Sequence, residues 1–279
     1  MKCAIIVPTY RGAMYIPFLL KSLGNQSFRN FRLVAVVKPS NDNTEKIIRK
    51  FSDIYDFDYN ILTQKNGNVA TALQLGVDSI TEEDIILITD DDAILPRDHI
   101  ENHVKIYQKS PKIGIVSGNI LNYDLKSNKV LPLETGKPWV RFYRTFIRPC
   151  IDKPHRYFMK YRLGVYITKD YNVVAGPCIP FKKCFSLPCR GVNLSFRADV
   201  IKVRFPIHPS LKRCPNWEQY VGVQFVMNGW DAVYYPQIFV YHIVRKSLSR
   251  TRNKKELLRE KIIMKDLFKE LIASDVQEI

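Results

Sequence analysis

Residues 85–92 read Ile85-Ile86-Leu87-Ile88-Thr89-Asp90-Asp91-Asp92, an uncharged apolar run that ends in three consecutive carboxylates. A strand that is buried on both faces of a parallel sheet is apolar throughout and does not alternate with polar residues, as in this run. Ligands of open α/β sheets collect at the carboxyl ends of the strands. The stretch therefore predicts a central parallel strand, Asp84 to Thr89, that presents acidic side chains to a ligand cleft.

The same pattern continues on both sides of this strand, where short apolar runs alternate with helical ones, as in βαβ units. The predicted strands are Cys3 to Val7, Phe31 to Val37, Asp58 to Thr63, Asp84 to Thr89 and Ile113 to Ile120, and the predicted helices span 15–23, 44–51, 69–80 and 97–108. The fold class that follows is α/β, with a Rossmann-like, mostly parallel central sheet and helices on both faces.

The second half of the chain is less regular. Residues 123–190 are rich in Arg, Lys, Tyr and Phe, and prolines interrupt their helical patterns, so we interpret them as a basic, aromatic-rich insert or lid. Regular elements return after residue 190; the predictions are a helix from Glu218 to Met227, strands Ala232 to Tyr235 and Phe239 to Tyr241, and a C-terminal amphipathic helix from Lys254 to Ile272. We expect this helix to pack on the domain, and the alternative is a helix bound to a membrane.

Composition limits the class of protein. The chain has 279 residues, of which 46% are hydrophobic, which is enough to form a core and excludes a disordered protein. Lys and Arg outnumber Asp and Glu by 43 to 27, which favours nucleic acid, an anionic membrane face or phosphorylated ligands as partners. No apolar stretch approaches a membrane span, and Pro8 interrupts the first apolar run too early for a signal peptide, so we expect a cytoplasmic protein.

Three of the six cysteines, Cys178, Cys184 and Cys189, fall within twelve residues. Their spacing lacks the tight Cys-x-x-Cys pairs of a zinc ribbon. Free thiols are favoured, while a disulfide and a metal site remain open alternatives.

The three aspartates are costly side by side, because like charges repel and raise one another's pKa. A hard divalent cation that binds carboxylates and substrate phosphates relieves this repulsion. In an extended chain the side chains of Asp90 and Asp92 point the same way and that of Asp91 points the opposite way. The Asp90-x-Asp92 pair is therefore the candidate metal-binding pair. The alternative is an acidic turn that caps the helix after Pro96.

Further motifs follow one another in a fixed order along the chain. They are Ile5-Ile6-Val7-Pro8-Thr9-Tyr10-Arg11, Gly67-Asn68-Val69-Ala70-Thr71-Ala72, the Asp triplet followed by Pro96, Gly191-Val192-Asn193-Leu194-Ser195-Phe196-Arg197, Gly229-Trp230, and Tyr235-Pro236 with Tyr241-His242. In these motifs, over about residues 1–122 and 190–245, the chain resembles family 2 inverting glycosyltransferases with the GT-A fold.

The resemblance implies one GT-A domain over residues 1–245 followed by a helical tail, 246–279. Residues 1–122 would bind a nucleotide-sugar donor, 123–190 would form the acceptor-side insert, and 191–245 would complete the acceptor and catalytic part. Mn²⁺ or Mg²⁺ would be held by Asp92, Asp90 and His242. The donor contacts implied are Pro8, Thr9, Tyr10, Arg11, Ser40, Asn66, Gly67, Ala70, Asp90 and Asp91.

The catalytic base is implied by the same resemblance, although the residues differ from the usual pattern. Family members usually carry Glu-Asp at the start of this helix, whereas this chain has Trp217-Glu218-Gln219. The apolar positions that follow place Glu218 where the catalytic Asp stands, and a base must come within roughly 2.6–3.2 Å of the proton it accepts. The alternative is a solvent-facing helix residue.

Other departures bear on the donor and the acceptor. Lys38 stands where many relatives carry an acidic uracil reader, and Leu73 and Gln224 replace common arginines, so recognition of UDP does not carry over. The insert suits the headgroup layer of a membrane, and we expect a polyprenyl-phosphate or glycolipid acceptor and peripheral contact with the cytoplasmic membrane face. The alternative is a soluble basic lid.

His99 and His103 have a spacing that can bind metal, but with no third ligand evident we expect them on the surface. Nucleic acid is not an expected partner, because the acidic triplet would repel phosphate. The competing functions are a nucleotidyltransferase on a similar sheet and an inactive nucleotide- or nucleic-acid-binding relative.

Overall fold

The computed structural model describes residues 1–132, 137–245 and 254–274. The strands are β1 (Cys3–Thr9), β2 (Phe31–Val37), β3 (Asp58–Thr63), β4 (Ile85–Ile88), β5 (Ala93–Ile94), β6 (Ile113–Asp124), β7 (Lys129–Val130), β8 (Val165–Ile167), β9 (Val173–Ala175), β10 (Cys184–Phe185), β11 (Leu194–Arg197) and β12 (Asp231–Ile243). The helices are α1 (Ile16–Gly24), α2 (Thr44–Tyr55), α3 (Val69–Asp78), α4 (His99–Lys109), α5 (Pro138–Phe142), α6 (Arg148–Ile151), α7 (Trp217–Met227) and α8 (Lys254–Ser274).

The central sheet runs in the order β10-β12-β6-β11-β4-β1-β2-β3, with β5 paired to β12 and β7 to β6. The pairs of β1 with β2 and β4, of β2 with β3, and of β6 with β12 are parallel. Strand β11 lies antiparallel between β4 and β6. The predicted α/β class is confirmed, and the carboxyl ends of β1, β2 and β4 open on one edge of the sheet.

Helices cover both faces of the sheet, as predicted. One apolar cluster packs α1, α2 and α4 on one face through residues such as Leu19, Ile48 and Val104. The other cluster packs α3, α7, α8 and part of the insert on the opposite face, for example through Leu73 and Phe225. Burial of both sheet faces explains why Ile85–Ile88 is apolar throughout.

The C-terminal helix contributes to the second cluster. Met264, Phe268 and Ile272 on α8 are buried. Glu260 is buried as well, and its carboxylate accepts the backbone N–H groups of Lys212, Arg213 and Cys214 at 3.0–3.3 Å. These contacts tie α8 to the loop before α7. None of the helices in the described ranges is both long and apolar enough to cross a membrane.

The two strands predicted near the C terminus form one strand, β12, whose pairing with β6 shifts register between Tyr235 and Phe239. Pro236 lies in this bulge, where a residue without a backbone N–H costs no ladder hydrogen bond. The prediction of two strands was therefore wrong at the break, because a bulge resembles a strand end in sequence.

His99 and His103 are buried, so the prediction of surface residues was wrong. His103 Nε2 lies 3.1 Å from Asn193 Oδ1, its Nδ1 lies 2.7 Å from Ser195 Oγ, and His99 Nδ1 lies 3.2 Å from the carbonyl oxygen of Phe239. Burial lowers the pKa of both imidazoles, that of His103 to about 4, so both are neutral near pH 7. They join α4 to β11 and β12 through hydrogen bonds.

Candidate active site

The acidic triplet lies in the turn between β4 and β5, and strand pairing brings His242 to it. β5 pairs with β12 so that His242 faces Ala93, the residue after the triplet. His242 Nε2 lies 3.0 Å from Asp92 Oδ1 and 3.7 Å from Asp90 Oδ2. One ligand atom from each of these three residues falls within 4.8 Å of the others. The sheet thus joins side chains that are 150 residues apart in sequence.

Burial and close negative charge together set the electrostatics of Asp90 and His242. Burial and then the Asp92 charge raise the pKa of Asp90 to about 7. Burial opposes a charged imidazole at His242, but the Asp92 and Asp90 carboxylates outweigh it and raise the pKa of His242. Within the described residues, His242 Nε2 is the only polar group near buried Asp92 Oδ1. Two carboxylates and an imidazole fit a divalent cation.

Asp91 faces away from this group and is held by two donors. Thr9 Oγ1 donates to Asp91 Oδ2 at 2.5 Å, and Arg245 Nη2 donates to Asp91 Oδ1 at 2.7 Å. A Cβ at Gly12 would collide with both Thr9 Oγ1 and Asp91 Oδ2, so a larger residue there would disrupt this contact. Asp91 therefore joins the turn after β1 to the turn after β4.

Sequence reasoning missed two arginines that face the acidic residues. Arg245 Nε lies 2.6 Å from Asp92 Oδ2, and its guanidinium lies over the ring of Tyr15 at 4.9 Å. Burial raises the pKa of Glu218 and the neighbouring carboxylates raise that of His242, and the Arg190 charge partly opposes both rises, as expected of a cation near the cleft. The signal was the triplet itself, because carboxylates that are close together require cations nearby.

The end of β1 and the turn after it carry four of the implied donor contacts, Pro8, Thr9, Tyr10 and Arg11. Thr9 is buried, Pro8 and Tyr10 are half-buried, and Arg11 is exposed with a left-handed backbone, φ 55°. The Arg11 guanidinium lies 5.1 Å from the centre of the Tyr10 ring, and Lys38 Nζ lies 5.8 Å from the same ring centre. Lys38 also donates to the carbonyl oxygen of Gly67 at 3.1 Å. Lys38 thus connects Tyr10 with Gly67, and Arg11 lies against the same tyrosine ring.

The remaining implied donor residues lie around this group in different settings. Ser40 Oγ donates to Asp42 Oδ1 at 2.8 Å, while Asp42 Oδ2 accepts the N–H of Ala13, so this loop is joined to the turn after β1. Asn66 is exposed. Ala70 is fully buried and gives its N–H to Asn68 Oδ1. The side chain and the N–H of Ala70 are therefore both used at the start of α3, and neither is free to contact a nucleotide sugar.

Glu218 lies in the first turn of α7, next to a close packing contact. Trp217 is mostly buried, and its indole occupies the space that a Cβ at Gly191 would need, which brings the start of α7 against the start of β11. Burial raises the pKa of the Glu218 carboxyl to about 7, and the Asp90 charge adds to that shift. Glu218 is thus a partly buried carboxyl whose pKa is affected by the charge of Asp90 in the acidic triplet.

Comparison with known proteins agrees with this geometry. An uncharacterised glycosyltransferase of Rickettsia conorii is 26% identical over 189 residues, which is 61% of this chain and 30% of that protein. The structure resembles Staphylococcus aureus TarS 1–349 in complex with UDP-GlcNAc, with a TM-score of 0.59 and 15% identity over 99% of this chain and 72% of that one.

It also resembles the mannosyltransferase PcManGT of Pyrobaculum calidifontis in complex with GDP-Man and Mn²⁺, with a TM-score of 0.59 and 16% identity over 99% of this chain and 73% of that one. Likeness at such identities establishes the GT-A fold. The profile described as Glycosyl transferase family 2 matches residues 4–164, more than half of the sequence. The chain therefore belongs to glycosyl transferase family 2.

Proposed function

We propose that this chain is a metal-dependent, inverting glycosyltransferase that moves a sugar from a nucleoside-diphosphate sugar to an acceptor hydroxyl or phosphate. One observation carries the proposal: Asp90, Asp92 and His242 converge at the end of β4 while Glu218 lies close enough for the Asp90 charge to raise its pKa. A metal-ligand set and a carboxyl base on the same cleft are the two parts that sugar transfer from a diphosphate requires.

In the proposed reaction the acceptor oxygen attacks the anomeric carbon from the side opposite the diphosphate. The bond between that carbon and the diphosphate oxygen breaks, the nucleoside diphosphate leaves, and the configuration inverts. Ionised Glu218 accepts the proton of the acceptor hydroxyl. A raised pKa suits this role because a base works best when its pKa is near the working pH.

Asp90, Asp92 and His242 would hold Mn²⁺ or Mg²⁺, which supplies a Lewis acid for the charge that develops on the leaving diphosphate. Arg190, whose charge acts on both His242 and Glu218, would add positive charge on the acceptor side. On the donor side, Tyr10, Arg11 and Lys38 would line the nucleotide, and the Asp91 contact with Thr9 fixes the turn that carries them.

Two of the structural relatives support the nature of the donor. TarS was crystallised with UDP-GlcNAc, and PcManGT with GDP-Man and Mn²⁺. Since Lys38 replaces an acidic residue that reads uracil in many relatives, the proposal leaves the base unspecified and commits to the diphosphate sugar.

The test is an assay of nucleotide release from a panel of UDP-, GDP-, dTDP- and CDP-sugars, with Mn²⁺, Mg²⁺ or EDTA. The expected result is release of a nucleoside diphosphate from at least one donor, supported by Mn²⁺ or Mg²⁺ and abolished by EDTA and by Asp92→Asn. Asp53→Asn, which changes an exposed carboxylate on α2, is the matched control and should keep full activity.

Two results would contradict the proposal. Full activity in excess EDTA would remove the metal from the mechanism. A product that retains a nucleoside monophosphate, with pyrophosphate released, would identify a nucleotidyltransferase.

A further inference from the structure

The insert contains a helical run with its apolar side chains turned outward. Residues 138–151 form α5, a π-helical turn at Tyr143–Ile147 and α6 in direct succession. Trp139, Phe142 and Phe146 are spaced three and four residues apart, which places them on one side of the run. They are 67%, 56% and 63% exposed, and the rings of Phe142 and Phe146 lie 5.1 Å apart. We name these three residues the aromatic face.

The opposite side of the same run is polar and faces the protein. Arg144 Nη1 donates to the carbonyl oxygen of Ile179 at 3.0 Å, and Arg148 Nη1 donates to that of Ala175 at 3.0 Å. Burial lowers the pKa of Arg144, with the neighbouring Arg148 charge acting in the same direction. An ordinary surface helix buries its apolar stripe and exposes its charges. This one does the reverse, so its aromatic face is open to a partner.

Cations and further apolar side chains lie in the same insert as the aromatic face, and Arg141 belongs to its helical run. Arg141 lies over the half-exposed ring of Phe181 at 5.5 Å, and Lys160 lies over that of Phe185 at 4.8 Å. Residues 137–190 contain twelve Lys and Arg residues, and their only acidic residues are Asp152 and Asp170. Aromatic rings flanked by long cationic side chains match the headgroup layer of a membrane, where rings insert and cations meet lipid phosphates.

We propose that the aromatic face and its flanking cations dock this chain onto an anionic lipid bilayer. The choice of a bilayer over a protein partner rests on charge, because a protein face would have to supply a similarly large acidic rim, whereas anionic lipid supplies it everywhere. The docking itself does not depend on catalysis. Its purpose rests on the proposed function, since it would bring the cleft to a lipid-linked acceptor.

The position of the helical run agrees with that purpose. Arg144, on its inner side, donates to the carbonyl oxygen of Ile179, in the segment that leads to Cys189. Cys189 precedes Arg190, whose charge acts on Glu218. The docking surface is therefore connected through its inner side to the segment that forms the acceptor side of the cleft.

The test is co-sedimentation of the full chain with vesicles of phosphatidylcholine alone and of equal parts phosphatidylcholine and phosphatidylglycerol. Binding to the anionic vesicles that weakens as salt is raised is the expected result, since the attraction between lipid phosphate and Lys or Arg is screened. The combined variant Trp139→Ser, Phe142→Ser, Phe146→Ser should bind at least about tenfold more weakly. Its melting temperature should stay unchanged, because all three side chains are exposed.

The matched control is Leu258→Ser with Ile262→Ser, which removes two exposed apolar side chains from α8 and should bind as the unaltered chain does. Asp92→Asn should also bind normally, so loss of transfer activity and loss of docking are separable. Absence of binding to anionic vesicles, or equal binding to both vesicles, would overturn the proposal. The proposal would also be overturned if the chain self-associated without binding vesicles and the aromatic-face variant abolished that self-association. Loss of vesicle binding in the α8 variant alone would overturn it as well.

Discussion

The side chain of Glu218 is one methylene longer than that of the aspartate usual at this position in the family. Its surroundings raise the pKa of its carboxyl. The raised pKa of about 7 makes ionised Glu218 the minor form in mildly acid solution. The rate of transfer should therefore rise with pH through about 7 and level off above it. Glu218→Gln should lower kcat by about 10²- to 10⁴-fold and remove that pH dependence. Glu270→Gln, an exposed change on α8, is the control for the pH–rate profile.

The same shift predicts an effect on folding. The unfolded chain releases the Glu218 proton near pH 4.5, the ordinary value, while the folded chain holds it up to about pH 7. Because the folded state binds more protons between these values, this residue lowers the free energy of unfolding as pH rises through that window. Glu218→Gln should be more stable than the unaltered chain above pH 7, by roughly 3 kcal/mol.

This stability gain should vanish below about pH 4.5, where Glu218 is protonated in both states. Urea unfolding at several pH values measures it. A gain that is constant with pH would show that the effect comes from packing and not from ionisation.

Arg245 binds the second carboxylate oxygen of Asp92 and would compete with a metal for the charge of that carboxylate. Its Nε lies 2.6 Å from Asp92 Oδ2, so the guanidinium and a divalent cation compete for one carboxylate. Without nucleotide, Arg245→Ala should bind Mn²⁺ about tenfold more tightly, because the competing guanidinium is gone. A tenfold change in affinity corresponds to roughly 1.4 kcal/mol of binding free energy. Titration calorimetry checks this, with Arg49→Ala on α2 as the control. Unchanged or weaker Mn²⁺ affinity would contradict the competition.

At the scale of elements, the loop before α3 depends on one capping side chain. Asn68 Oδ1 accepts the N–H groups of Ala70 and Thr71, and its amide donates to the carbonyl oxygen of Leu211. Asn68→Ala should lower the free energy of unfolding by about 1–2 kcal/mol, because two buried N–H groups lose their acceptor. Asn43, at the start of α2, makes no capping hydrogen bond through its side chain, so Asn43→Ala should change stability by less than about 0.5 kcal/mol.

Periodicity predicted most elements because both faces of the sheet are buried, which imposes apolar runs on strands and apolar stripes on helices. The exceptions have physical causes. β12 was divided because the bulge at Pro236 resembles a turn in sequence. His103 was placed on the surface because its partners, Asn193 just before β11 and Ser195 on β11, are about 90 residues away along the chain. Burial of a polar residue depends on distant partners that no local pattern reveals.

At the scale of the whole molecule, the order of the strands in the sheet could not be predicted from the sequence. The insertion of β11 between β4 and β6 is a long-range pairing, and the cleft depends on it because it sets the distance between the triplet and the start of α7. The acidic pair and His242 were predicted from their place in the motif order. Arg245 and Arg190 were not, since their roles arise only when residues remote in sequence meet.

Ligand binding should stabilise the whole fold, because the proposed site joins the turns after β1 and β4 to the end of β12. A nucleoside diphosphate with Mn²⁺ should raise the melting temperature more than either alone, since phosphate oxygens complete the coordination of the cation. At about a hundred times the dissociation constant the gain is roughly 2.7 kcal/mol. A thermal-shift screen of UDP, GDP, CDP and dTDP with Mn²⁺ or EDTA measures it, and Asp92→Asn should lose the effect while Asp53→Asn keeps it. Equal shifts in EDTA would show that the nucleotide binds without the metal, and the joint site would then be wrong.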